Sequence, residues 1–348
     1  MEFVGVEDVY DFAEPATHWG WANGMKVHNC AEMPLESAEC CTLAESYPMN
    51  CTSKADYLRS LKFAFMYGKA VTLLNTHWPE VNEVMVRNRR IGVSMTGLAL
   101  FVETHGWRDL QHWCDEGYHT LKHWDEVYSR WLGIRNSVKI STIKPGGTVP
   151  LLLAPLSGPG NPPGVHWPVK SGEYIRRMRA SVSEPIIAAM AAAGYNVEPN
   201  VMNPDHGRVI DLPVMGPVMR DERSVPLWEK VSLAELLQRY WSDNSVSATF
   251  TFLPEEKDQI ASILRVFEGR LKSLSFLPLS EEGGPTPYPQ MPMESVSHER
   301  WQEIWDRTRP LDWDGLYMGD SVTDASGEKF CATDQCMIQS ETAPIESS

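Results

Sequence analysis

Two thiols and a carboxylate stand close together near the start of this chain. Cys30 and Glu32 are two residues apart, and Cys41 follows eleven residues after Cys30, far enough for a loop to return near it. A thiol of this kind can carry redox chemistry, and a carboxylate beside it can move a proton. Cys30 also closes a second motif. In His28-Asn29-Cys30 the asparagine amide can attack its own following carbonyl, form a succinimide and release the chain beyond it. The neighbouring imidazole assists by donating a proton, and a cysteine just past the junction can receive an acyl group. Taken singly, a cysteine is most often a small buried hydrophobe and a His-Asn pair a turn. Their coincidence at one residue is what calls for explanation.

The elements around these residues alternate between strand and helix patterns, which defines an α/β chain. Residues 1–29 read as short strands joined by turns, and residues 30–52 as a loop-rich stretch holding four cysteines, Cys30, Cys40, Cys41 and Cys51. Four clustered cysteines could hold zinc, but the paired C-x2-C spacing of such sites is missing, so no metal is expected. Leu58, Leu61, Phe65 and Thr72 predict a helix from Lys54 to about Leu74. Leu121, Trp124, Tyr128 and Trp131 predict another over 118–132, with Cys114 just before it in a structural role. Arg89 and Arg90 read as a solvated basic turn. Pro145-Gly146-Gly147-Thr148 interrupts a strand-like passage from Ile140 to Leu153. Its glycines let backbone N–H groups approach a ligand closely and Thr148 adds a hydroxyl, which suits a phosphate, although such a turn is more commonly just a turn. Residues 154–170 are crowded with proline and glycine and mark a long shaped loop. Beyond it come an alternating basic strand over 174–179, a helix over 183–193, a strand over 207–214 and a helix over 233–241. A strand over 248–252 and an amphipathic helix over 255–271 follow, and after about Pro310 the composition turns polar and small.

Composition bounds the possibilities. The 348 residues are 43 % hydrophobic and 22 % charged, an ordinary globular balance that supports a sizeable core. A net charge of −15 argues against a surface that coats nucleic acid, which needs clustered Lys and Arg. One local anion pocket remains compatible with an acidic protein. No apolar run reaches the length of a membrane span, and the acidic N-terminus is unlike a signal peptide. Seven cysteines without an export signal point to thiols kept available for chemistry, and the expected compartment is the cytoplasm.

The first 29 residues resemble the C-terminal segment of an intein. The resemblance runs through Val9-Tyr10-Asp11-Phe12, Thr17-His18-Trp19 and Asn23-Gly24-Met25-Lys26-Val27-His28-Asn29, ending at Cys30. It implies that His18 and His28 are assisting imidazoles, Asn29 the cyclising residue and Cys30 the first residue of the host protein. Asp11 matches as well, with a less defined role.

From Cys30 onward the chain resembles the C-terminal half of a ribonucleotide reductase catalytic chain, above all the monomeric, adenosylcobalamin-dependent (class II) ribonucleoside-triphosphate reductase. Cys30-Ala31-Glu32, Cys41-Thr42-Leu43-Ala44-Glu45, Asn88-Arg89-Arg90-Ile91-Gly92 and Ile143-Lys144-Pro145-Gly146-Gly147-Thr148 carry the resemblance. Trp241-Ser242-Asp243-Asn244-Ser245-Val246-Ser247, Gln290-Met291-Pro292 and the pair Cys331/Cys336 extend it. The resemblance implies part of a ten-stranded α/β barrel over residues 30–310, with the catalytic cysteine on a finger loop, and a mobile tail over 311–348. By it Cys30 becomes the thiyl radical, Glu32 handles the 3′-hydroxyl proton, and Cys41 is one of two reducing thiols. Pro145, Gly146, Gly147 and Thr148 bind substrate phosphate, and Cys331 with Cys336 exchanges with the internal disulfide and then with a thioredoxin-like reductant. The sequence has no Tyr-Tyr pair and no glycyl-radical motif, which leaves adenosylcobalamin as the expected radical source.

One departure bears on the reading. The family has Asn-Pro immediately before its radical cysteine, and this chain has His28-Asn29. Excision of residues 1–29 and ligation to an upstream reductase half carrying an N-terminal intein segment would repair it. Two other readings compete: an intein fused to a non-catalytic reductase fragment, and a cytosolic thiol or metal-binding module.

Overall fold

The computed structural model describes residues 32–146, 149, 164–279 and 290–311, together with the backbone of 19–22 and 25–28. In chain order the strands and helices begin with β1 (Trp19–Ala22), β2 (Met25–His28), β3 (Leu43–Ser46), α1 (Lys54–Val71) and α2 (Pro79–Asn88). Then come β4 (Gly92–Met95), α3 (Leu98–His105), α4 (Trp107–Leu132), β5 (Glu173–Ser181), α5 (Pro185–Ala192) and β6 (Asn196–Pro199). The series ends with β7 (Gly207–Met215), α6 (Leu227–Tyr240), β8 (Thr249–Phe252), α7 (Ile260–Phe267), β9 (Ser275–Pro278), β10 (Met293–Ser295) and α8 (His298–Arg307). Two compact units result, one of residues up to Pro168 with Met219–Glu282 and one of Val169–Val218 with the chain from Gly283 on.

The first unit is built on parallel pairing. β3 pairs with β4, Val93 of β4 bridges to Ser141, Ile143 bridges to Val246, and β8 pairs with β9, every one of these in parallel. Five extended segments thus follow one another in a row, joined by crossovers that contain the helices, as parallel strands require. The chain is mixed α/β, as its alternating patterns predict. Tyr57, Leu61 and Phe65 lie four residues apart on one face of α1 and are fully buried against this layer. Ser53 caps that helix by accepting a bond from Asp56 N at 3.2 Å.

Three sequence expectations change here. α4 begins at Trp107, eleven residues before the predicted start, so Cys114 lies inside it and is fully buried. The apolar stripe does continue through Leu110, Cys114 and Leu121, but Gly117 hides it. A Cβ there would stand 2.9 Å from Trp241 Cζ3, so the stripe has a missing side chain where α4 meets that indole. The loop-rich stretch of 30–52 contains strand β3. The helix predicted over 255–271 is a 3-10 turn over Pro254–Gln259 followed by α7. Glu256 splits its carboxylate between Leu253 N and Leu227 N, at 2.9 and 2.8 Å, and this anchors the tight turn before the α-helix starts.

A buried ion pair ties α1 to α4. Lys69 Nζ donates to Asp125 Oδ1 at 2.6 Å, to Arg135 O at 3.0 Å and to Ser137 Oγ at 3.0 Å, which uses all three ammonium protons. Asp125 Oδ2 accepts from Ser137 N at 3.0 Å. With the two side chains 1 % and 6 % exposed, removing one partner strands the other charge in the core. Asp125→Ala is therefore expected to cost about 3–5 kcal/mol, read as a fall in the urea midpoint of the first unit. A Lys69→Met/Asp125→Leu double variant should recover most of that loss.

The second unit is an antiparallel sheet of order β10-β5-β7-β6, an arrangement the sequence reading did not anticipate. The basic strand falls on β5. Its Arg177 pairs with Asp211 at 3.1 Å and with Glu294, so that charge is matched within the sheet. Trp301 and Ile304 of α8 cover Ile175, and the Trp301 indole donates to Val214 O at 3.1 Å.

Candidate active site

Among the predicted site residues, Glu32 is the one whose surroundings are most unusual. Its backbone carbonyl accepts from Thr142 Oγ1 at 2.5 Å and from Ser245 N at 3.1 Å, so two neighbouring segments of the parallel row hold it. Met33 beside it packs into the space left by Gly92, where a Cβ would meet Thr142 Cγ2 at 2.8 Å and Met33 Sδ at 3.1 Å. The Glu32 side chain is buried, and its Oε2 has no hydrogen-bond partner among the described residues. A buried carboxylate oxygen without a donor is costly and rare in a native fold, and it marks a place where a ligand can supply the donor. Cys30, two residues earlier, lies outside the described residues, as do His18 and Asn29.

Cys41 stands just before β3 and is exposed at the protein surface. Enough protein still surrounds it that burial pushes its thiol up to about 11, with the negative charges of Glu32, Cys40 and Glu39 adding to the rise and Arg90 opposing it. Glu32 therefore acts on Cys41 through space. Cys40 is also exposed, with its backbone N–H directed at Met85 Sδ at 3.4 Å.

The segment before Cys40 is held by charge. Glu39 Oε1 accepts from Arg90 Nε at 2.9 Å and from Asn88 Nδ2 at 3.0 Å, and its Oε2 accepts from Glu36 N at 2.9 Å. Arg90 also reaches Asn244 Oδ1 at 3.4 Å, while Asn244 Nδ2 donates to Ile91 O at 3.0 Å and Ser141 O at 2.8 Å. The solvated basic turn expected at Arg89 and Arg90 is thus corrected: both are buried. Arg89 closes α2 in the left-handed region with φ of 46° and donates to Thr72 O, and Arg90 turns inward to Glu39. The sequence holds a signal for this, a glutamate directly before two cysteines and an Asn-Arg-Arg run, but the two are 51 residues apart.

At the far end of β3, Glu45 is pushed up to about 7 by burial, against the pull of Lys144 and Ser94 and with Glu32 raising it further. Ser94 Oγ donates to Glu45 Oε1 at 3.2 Å and accepts from Lys144 N at 2.9 Å, and Lys144 Nζ stands 3.5 Å from Glu45 Oε2. These contacts fix the entrance to the Pro145-Gly146-Gly147-Thr148 turn. The half-buried imidazole of His166 fixes the next residue by bonding to the Pro145 backbone, and its Nε2 accepts from Thr249 N at 3.0 Å. Burial holds His166 down to about 4, which keeps it neutral, as that acceptor role demands. Gly146 takes a φ of 60°, and Gly147 and Thr148 lie outside the described residues. The passage from Ile140 forms isolated bridges at Ser141 and Ile143, not a full strand. Glu32, Cys41 and the start of the Pro145-Gly146 turn thus lie at neighbouring segments of one parallel row. Glu45, Glu39, Arg90, Ser94 and His166 join them as residues to which the sequence reading gave no role.

The fold is similar to that of solved ribonucleotide reductase chains. The fold matches the crystal structure of a B12-dependent (class II) ribonucleotide reductase with a TM-score of 0.66 and 25 % identity, over 82 % of this chain and 42 % of that one. The alpha subunit of an Actinobacillus ureae class Id enzyme, 12 % identical with a TM-score of 0.51, shares the fold. Two eukaryotic relatives are similar in sequence. A probable adenosylcobalamin-dependent ribonucleoside-triphosphate reductase of Dictyostelium discoideum is 42 % identical over 90 % of this chain, and the Euglena gracilis enzyme of that description is 39 % identical over 88 %. The Lactobacillus leichmannii enzyme is 30 % identical over 79 %. The chain spans only 40 %, 41 % and 40 % of the length of these three relatives. No protein-family model matches the chain.

Proposed function

We propose that this chain is part of an adenosylcobalamin-dependent ribonucleoside-triphosphate reductase. In this reading it supplies the radical cysteine Cys30, the proton-handling carboxylate Glu32 and the reducing thiol Cys41. The observation that carries the proposal is the buried Glu32 oxygen without a donor, within electrostatic reach of a thiol. A ribose hydroxyl is a donor of the kind that oxygen lacks. Similarity to reductases over most of the chain supports the same reading.

When bound, adenosylcobalamin supplies the radical through its cobalt–carbon bond. The fit of this chain to such chemistry rests at the substrate end, on the Glu32 oxygen; none of the described residues is assigned to the corrin. Cys30 as a thiyl takes the hydrogen from C3′ of the ribose and later returns it. Glu32 accepts the 3′-hydroxyl proton, and the 2′-hydroxyl leaves as water. Cys41 and a second thiol give two electrons and two protons, and end as a disulfide. Cys331 and Cys336 reduce that disulfide by exchange and are themselves reset by a thioredoxin-like protein. Pro145, Gly146, Gly147 and Thr148 hold the phosphate, with Lys144 and His166 fixing the approach to that turn.

Residues 1–29 act as the C-terminal segment of an intein that joins Cys30 to an upstream reductase half. Support comes from the antiparallel β1–β2 pairing, with Ala22 opposite Met25 and β2 ending at His28. In the sequence Asn23-Gly24 stands between the two strands, a pair that favours tight hairpin connections. Among the described residues no helix is long and apolar enough to cross a membrane.

The cofactor assignment is tested on the ligated enzyme with a ribonucleoside triphosphate and a dithiol. Turnover should require adenosylcobalamin and should vanish when it is omitted. Full turnover without it, or dependence on an added iron subunit, would overturn the assignment.

A further inference from the structure

A second carboxylate of the first unit, Glu45, has a buried oxygen without a hydrogen-bond partner, and the Lys144 ammonium stands beside it. We propose that Lys144 binds a phosphate oxygen of the nucleotide, with Glu45 as its counter-ion before the anion arrives. The inference deepens the reading of Pro145-Gly146-Gly147-Thr148 as a phosphate turn and rests on it for its place in the reaction. Its content as anion binding is testable apart from that reading.

Geometry carries the argument. Glu45 Oε1 accepts from Ser94 Oγ at 3.2 Å, and its Oε2 has no hydrogen-bond partner among the described residues. Lys144 Nζ stands 3.5 Å from that oxygen, longer than the about 2.7–2.9 Å of a charge-assisted hydrogen bond. An ammonium has three protons to place, so the contact leaves both partners with bonding capacity to spare. The Glu45 side chain is 7 % exposed and that of Lys144 20 %. The carboxylate is thus fixed within the protein, and the ammonium, on its flexible stem, is the member that can turn to a ligand.

Lys144 is also the residue that leads into the turn. Its own N–H donates to Ser94 Oγ at 2.9 Å, which fixes the root of the side chain at the entrance. The carbonyls that would repel an anion there are covered. A Cβ on Gly164 would meet Lys144 O at 2.7 Å and Pro145 O at 3.0 Å, so Gly164 lies against both. His166 accepts at Nε2 from Thr249 N, and its ring also bonds to the Pro145 backbone. With those acceptors covered, the Lys144 ammonium is the charge that the entrance of the turn offers to an anion. Glu45 competes for it through one long contact, which a phosphate oxygen at hydrogen-bond distance would outbid.

The test reads anion affinity and needs no turnover. Inorganic tripolyphosphate is titrated by calorimetry into the full chain and into the ligated enzyme at pH 8, above the value of about 7 to which burial pushes Glu45. Lys144→Gln should weaken binding by about 10- to 100-fold, the worth of a hydrogen bond from a charged group. Lys144→Arg, which keeps the charge, should retain most of the affinity. Glu45→Gln keeps an acceptor and removes the competing charge, so it should tighten binding by at least about threefold. The Lys144→Gln/Glu45→Gln double variant should bind more weakly than the starting protein. A purely structural pair would loosen the turn and weaken binding in both single variants. Weaker binding by Glu45→Gln, unchanged binding by a folded Lys144→Gln, or no tripolyphosphate binding by either starting protein overturns the proposal. Should Lys144→Gln fail to fold, the other two variants at Lys144 decide: Lys144→Arg must retain the affinity and the double variant must lose it. In the ligated enzyme the Lys144→Gln loss should fall on KM for the ribonucleoside triphosphate more than on kcat. Loss of the reductase reading would appear separately, as a ligated enzyme without turnover whose tripolyphosphate affinities keep the same order.

Discussion

Glu32→Ala is expected to leave protein ligation intact and to abolish nucleotide reduction, whereas Cys30→Ala should abolish both. Incubation with the matching upstream protein should release a peptide of residues 1–29 ending in a succinimide and join the host segment to Cys30 through a normal peptide bond. Asn29→Ala should block that release and leave a branched or unligated species, because no other side chain at the junction can cyclise. In the proposed reading Cys30 serves both reactions, first as the acyl acceptor and then as the hydrogen-abstracting thiol, and Glu32 serves only the second. Its carboxylate is buried with an unfilled oxygen, and loss of a positioned proton acceptor costs about 10²–10⁴ in rate. Mass spectrometry follows ligation, and deoxynucleotide formation follows reduction. Reductase activity in the unspliced chain, or loss of ligation in Glu32→Ala, would end the two-role account.

The second large effect concerns Cys331 and Cys336, which stand five residues apart in a polar stretch beyond the described residues. Replacing both by Ser in the ligated enzyme should remove turnover supported by thioredoxin. The internal thiols would still complete about one turnover per enzyme, since exchange is needed only to reset them. Rapid-quench measurement of product per enzyme separates the two outcomes. Loss of that first turnover as well would contradict a shuttle role and favour a structural one.

The sequence suggested chemistry more readily than it disclosed support. Cys30, Glu32, Cys41 and the His28-Asn29-Cys30 junction are weak signals singly and read as sites through their resemblance to two families. Helix α1 is legible from Leu58, Leu61, Phe65 and Thr72 on a single element, although the face it buries runs through Tyr57, Leu61 and Phe65. The residues that hold the site are not local. Thr142 meets Glu32 across 110 positions, Arg90 meets Glu39 across 51, and Ser94 meets Glu45 across 49. No period or motif within one element predicts such a meeting. Arg90 shows the cost most clearly: two arginines in a row read as solvated, and burial reversed that reading because each found a partner on a distant segment. The start of α4 was missed for a different reason, since Gly117 omits a side chain where Trp241 takes its place. The antiparallel second sheet was invisible because its outer strand β10 joins β5 from more than a hundred residues away.

The parallel row also sets a timetable. Its third and fourth segments meet through Ser141 and Asn244, 103 residues apart, and through the Trp241 indole, which donates to Thr142 O at 2.9 Å across 99. Closing a loop of that length spends chain entropy before any hydrogen bond repays it, and folding slows as such separations dominate. The turn of α1 and the long α4 can form early from neighbours in sequence. The seat of Glu32 cannot, because Thr142 and Ser245 must come together before its carbonyl has both donors. Glu32 is therefore among the last parts of the first unit to be put in place, and a ribosome must release residue 245 before that step can begin.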